Sequence, residues 1–137
     1  MKIKQLTVFV ENRTGYLSEI TDLLGKSGVD MKALSIADTK DFGILRLIVS
    51  DEEKAVKVLN DNGVICKLTD VIGVKIPNAP GSLSTVLSLL AANGVNVEYL
   101  YAFLSGSVGG ANVVFKATDN DIAEKILLGN GYKGIEE

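Results

Sequence analysis

Two glycines, Gly15 and Gly81, each stand three residues after an asparagine, Asn12 and Asn78, and each is followed two positions later by a leucine, Leu17 and Leu83. A glycine at a strand-to-helix turn removes a Cβ and lets the backbone approach a ligand closely. The free N–H groups of the helix that follows attract a carboxylate. An ammonium group needs acceptors instead, and backbone carbonyls with the side chains of Asn12, Asp30, Asn78 and Asn96 are of that kind. A small zwitterion fits this chemistry. The same residue types also serve as plain helix caps and turn formers, so both readings stand on the residues alone.

Other chemistries are excluded by composition. Among 137 residues there is no histidine and one cysteine, Cys66. No Cys/His metal set can form, and no Ser-His or Cys-His catalytic pair is available. No metal or cofactor is expected, and no catalytic residue. A lone cysteine within a strand reads as a packed thiol, and its scarcity fits a reducing, cytoplasmic setting. The formal charge of −3 argues against a nucleic-acid partner, which would call for a basic face. No apolar run is long enough to span a membrane.

The spacing between the glycines is part of a repeat. Val8–Ser18 aligns with Val74–Ser84, Leu23-Leu24 with Leu89-Leu90, Gly28-Val29-Asp30 with Gly94-Val95-Asn96, and Gly43 with Gly109, all at an offset of 66. Beyond Phe115 the offset becomes 68, so that Ala55, Val58, Leu59 and Gly63 fall on Ala123, Ile126, Leu127 and Gly131. The boundary is expected to divide the chain into domains 1–69 and 70–137.

Each half reads strand, helix, strand, strand, helix, strand. Strands are expected over 3–10, 31–37, 44–49 and 64–68, then near 71–76, 96–104, 110–117 and 132–135. Helices are expected from Leu17 to a stop at Gly28, over 52–62, and near 82–93 and 120–129. This predicts an α+β fold of two ferredoxin-like βαββαβ repeats, antiparallel sheets with their helices on one face, paired side by side into one extended sheet.

At Val10–Leu17 and Ile76–Leu83, followed by Gly28-Val29-Asp30 and Gly94-Val95-Asn96, the chain resembles the ACT-domain family, and the stand-alone tandem members in particular. The resemblance implies a non-enzymatic regulatory or sensor protein that binds a free amino acid near the junction of paired domains joined through their second strands. It implies a ligand set of Asn12, Arg13, Thr14, Gly15, Tyr16, Leu17, Asp30 and Met31 in one repeat. The matching set is Asn78, Ala79, Pro80, Gly81, Ser82, Leu83, Asn96 and Val97. A separate regulatory subunit of an amino-acid biosynthetic enzyme and a ligand-free structural module are the alternatives.

On the second strand of the second repeat, Val97, Tyr99, Tyr101 and Phe103 alternate on one face, while Leu100, Ala102 and Leu104 turn to the helices. An exposed aromatic face of that kind predicts a homodimer or higher oligomer; cover by loops or the C-terminus is the alternative. Gly106, Gly109 and Gly110 suggest a hairpin loop rather than a phosphate cradle, since no Gly-Lys-Ser/Thr follows. Asp119-Asn120-Asp121 reads as a helix cap, and Glu11, Asp38 and Asp41 as solvated carboxylates.

Overall fold

A computed structural model describes residues 1–38, 41–104 and 110–135. The elements run β1 (Lys2–Glu11), α1 (Tyr16–Lys26), β2 (Met31–Asp38), β3 (Phe42–Val49), α2 (Glu52–Asp61), β4 (Cys66–Pro77), α3 (Ser82–Ala92), β5 (Val97–Ala102), β6 (Gly110–Ala117), α4 (Asn120–Gly129) and β7 (Lys133–Gly134). This is the βαββαβ order twice, with β4 serving as the last strand of the first repeat and the first strand of the second. Phe42 and Gly43, expected in a turn, already belong to β3. Gly106 and Gly109 of the expected hairpin loop lie outside the described residues.

Two compact units divide the chain: Lys4–Thr69, and Asp70–Glu137 together with Met1–Ile3. The first three residues therefore go with the second unit. The division falls inside β4, where separate strands over 64–68 and 71–76 were expected. Residues 66–77 contain no turn-forming Gly-Asn or Pro dipeptide before Pro77, so nothing in them ends the strand.

In the first unit β3 lies between β2 and β1, all antiparallel, and the chain entering β4 runs beside β1, where the Phe9 N–H donates to the Ile65 carbonyl at 3.0 Å. In the second, β6 lies between β5 and β4, and β7 pairs with the other side of β4. Alternation on the strands sets the packing. Leu6, Val8 and Val10 of β1 and Leu45, Leu47 and Val49 of β3 bury one face, against Ile20 and Leu24 of α1 and Ala55 and Leu59 of α2. Ile72, Val74, Ile76, Val113 and Phe115 do the same against Val86, Leu90, Ala123 and Leu127. Both helices of a unit thus cover the same sheet face.

The four helices among the described residues stop in one way. Gly28 has φ +75°, its N–H donates to Gly25, and Val29 N–H reaches back to Leu24 at 3.0 Å, the left-handed C-terminal motif expected there. Their starts differ. Asp51 and Asp119 cap α2 and α4, each accepting a backbone N–H at 3.1 Å, from Lys54 and Ile122. The caps of α1 and α3 are Gly15 and Gly81, left-handed and with no side-chain hydrogen bond. Removing the Asp51 carboxylate orphans a helix N–H, so Asp51→Ala should lower stability by about 1 kcal/mol in urea unfolding, and Asp119→Ala by a similar amount.

The aromatic face of β5 is open only in part, with Tyr99 and Phe103 half-buried. A register shift between Val97 and Tyr99 inserts a residue, so Val97 leaves the aromatic side and packs with Leu100 on the helix-side core. Tyr101 is 8% exposed, and Val114 beside it is fully buried. Next in that row is Gly73, opposite Val114. A Cβ on Gly73 would stand 2.8 Å from Ile135 Cδ1 and 3.0 Å from Ile3 Cδ1. Both ends of the unit's chain therefore reach over this face, as in the alternative of cover by the C-terminus. No helix among the described residues is long and apolar enough to cross a membrane.

Candidate functional site

The ends of β1, β2 and β3 meet the start of α1 at one corner of the first unit. There Val10, Glu11, Asn12, Arg13, Leu17, Ile36 and Gly43 line a cavity of about 190 Å³. Register explains the meeting. Val10 stands opposite Gly43 across the β1–β3 ladder, and β2 brings Ile36 alongside β3 at Leu45. A Cβ on Gly43 would lie 2.7 Å from Val10 Cγ2 and 3.7 Å from Ile36 Cδ1, so the missing side chain is what leaves room.

The rim of this cavity is charged. Arg13 Nε donates to Glu11 Oε2 at 3.1 Å, and its two terminal nitrogens donate to the Glu19 carboxylate at 3.4 and 3.3 Å. Bonding to Glu19, and next to Glu11, raises the Arg13 pKa, and the guanidinium lies 4.5 Å over the Tyr16 ring. Glu11, Arg13, Tyr16, Glu19, Ile20, Asp22, Leu23, Asn62, Gly63 and Val64 line a second, wider cavity of about 440 Å³ on α1. It is the more acidic of the two. Glu11 and Arg13 line both, and the smaller one sets them beside the apolar Val10, Leu17 and Ile36.

The sequence-derived set is divided by this geometry. Asn12, Arg13 and Leu17 line the small cavity; Tyr16 turns to the wider one; Gly15 holds the turn with φ +85°. Thr14 is exposed. Asp30 and Met31 follow the far end of α1, whose 11 residues span about 16 Å. There the Asp30 N–H donates to Ser50 Oγ at 2.9 Å and its carbonyl accepts from Ser50 N–H, a brace between β2 and β3. Met31 packs on the core. In the second unit Asn96 makes the corresponding brace, its carbonyl accepting from Thr118 N–H at 2.9 Å, and Val97 packs on the core. Asn78, Ala79, Pro80 and Gly81 form an exposed turn, with Ser82 and Leu83 half-buried behind it.

Sequence reasoning missed Val10, Glu11, Ile36 and Gly43 as cavity residues. Gly43 was visible as a repeated glycine, but only the cross-strand register shows which neighbours it admits. Glu11 reads alone as a solvated carboxylate; its partner at Arg13 gives it a direction. Positions matching Glu11 and Arg13 are Pro77 and Ala79, so the second unit lacks this charge pair. Cys66 is half-buried against the first core, and burial pushes its thiol pKa up, away from nucleophilic use. No cluster of metal-ligating side chains occurs among the described residues.

The family model for the ACT domain pair matches residues 1–137. This chain belongs to the ACT domain pair family. The pair is similar to protein BT0572 from Bacteroides thetaiotaomicron, with 43% identity, a TM-score of 0.91, and coverage of 98% of this chain and 92% of that one. Its fold is also that of the ligand-free regulatory subunit of aspartate kinase from Thermus thermophilus, at 15% identity and a TM-score of 0.66, with 92% of each chain covered. The corresponding subunit from Thermus flavus gives 15% identity and a TM-score of 0.62, again over 92% of each chain. Among curated proteins none matches.

Proposed function

We propose that this ACT domain pair is a non-catalytic, cytoplasmic regulatory module that binds a free amino acid in the small cavity of the first unit. The observation that carries the reading is the Glu11–Arg13 pair on the rim of a cavity floored by Val10, Leu17 and Ile36. A zwitterion sets its α-carboxylate toward the guanidinium and its α-ammonium toward the carboxylate, and an aliphatic side chain fills the apolar floor. The left-handed Gly15, with no side-chain cap on α1, supports approach of the carboxylate to the same loop.

A thermal-shift screen over the twenty amino acids tests this. One or a few should stabilise the protein, and Arg13→Gln or Asn12→Ala should weaken the hit by about ten- to a hundredfold, the usual worth of a hydrogen bond to a charged group. No shift with any of them would sink the reading.

A second reading, a separate regulatory subunit beside a catalytic enzyme, draws on what the two Thermus proteins are named as. Co-purification of a large catalytic chain distinguishes it. Self-association stays in the reading on narrower ground: with Tyr101 buried, the β5 face offers a second copy only the half-buried Tyr99 and Phe103.

A further inference from the structure

We propose that the second unit carries an oxyanion site at Lys75 and Lys133, separate from the amino-acid cavity and independent of it. These lysines stand directly opposite one another across the β4–β7 ladder. Cross-strand partners in such a ladder hold their Cβ atoms about 5 Å apart, and like charges so placed repel. Neither lysine has an ion pair or hydrogen-bonded side-chain partner among the described residues. Both are exposed, and they border a groove of about 370 Å³ that Ile76, Pro77, Gly110, Gly131 and Tyr132 complete. No carboxylate among the described residues lines it.

The fold does not require lysines there. The row across the second sheet runs Phe103, Asn112, Lys75, Lys133, joined by the Phe103 N–H to Asn112 carbonyl bond at 3.0 Å and by the β4 registers. Its counterpart in the first unit runs Ala37, Ile44, Phe9, Ile65 and is apolar throughout. One backbone arrangement therefore carries an apolar row in one repeat and a facing pair of lysines in the other, in a protein of net charge −3. A bound oxyanion between the two ammonium groups turns their repulsion into two charge-assisted hydrogen bonds, and Tyr132 with Pro77 offers apolar surface to the carbon skeleton of an organic acid or phosphate ester.

Thermal unfolding in inorganic phosphate, in succinate and in chloride at matched ionic strength tests the proposal. Phosphate or succinate at about ten times its dissociation constant should raise the midpoint by about 4 °C over chloride. Which of the two acts assigns a phosphate or a carboxylate ligand. Lys75→Gln and Lys133→Gln should each raise the midpoint in chloride, because the repulsion is gone, yet lose the oxyanion increment. No increment in the wild type overturns the proposal. So does an increment of equal size in both variants, the result of general salting-out.

Discussion

Phe115→Ala should lower the stability of the protein by about 3–5 kcal/mol, read as a reduced urea midpoint at unchanged slope. Phe115 is 1% exposed and is the largest fully buried side chain. It stands on β6 opposite Ile72 of β4 and Leu100 of β5, under Val86 and Leu90 of α3 and Leu127 of α4. Truncation removes the ring from every layer of that core at once, and paired strands leave the walls little freedom to close the void. A loss of this size is a large share of the 5–15 kcal/mol typical of a folded domain. The contrast is Phe9, 38% exposed on the opposite face of the first sheet, where truncation to alanine should cost less than about 1 kcal/mol.

Gly43→Val should abolish the amino-acid response, weakening binding by more than about thirtyfold in calorimetry while the protein still folds. The new Cβ would enter at 2.7 Å from Val10 Cγ2, and its methyls would point along the space between Val10 and Ile36. Crowding of this kind costs about 1–3 kcal/mol, which a well-formed sheet survives. A cavity of about 190 Å³ with one wall moved inward does not hold an amino acid side chain. Full-strength binding by a folded Gly43→Val protein would place the ligand elsewhere.

Much of the fold is legible in the residues because it is local. Leu17, Ile20, Leu23 and Leu24 recur at helical spacing, Gly28 supplies the left-handed stop, and Asp119 offers a cap that the helix after it uses. The repeat doubles each of these signals. Where the reading failed, the cause was non-local. Nothing in Thr69-Asp70 marks a turn, and strands expected on either side are one strand, β4. Strict alternation along β5 misplaced Val97, because a register shift depends on how β6 pairs with it rather than on β5 itself.

The candidate site shows the same division. Its loop, Asn12 to Leu17, was legible as a glycine turn entering a helix. Asp30 and Asn96, close to that motif in the chain, are held a helix length away by α1 and α3 and spend their backbone groups bracing neighbouring strands. Glu11, Ile36 and Gly43 have no common sequence pattern, since they come from three different strands.

By itself the sequence determined the two βαββαβ repeats, the helix stops and caps, and the absence of histidine chemistry, all set by spacing within a few residues or by composition. Only the tertiary structure decided which side chains share a wall. Registers across the ladders gave the first unit a charged, apolar-floored cavity and set two lysines of the second opposite one another. Ile3 and Ile135 pack over Gly73, in the row of Val114 and Tyr101, because a glycine there leaves them room. Such outcomes depend on pairs of residues far apart in the chain, whose contact is a property of the packed sheet and of no segment alone.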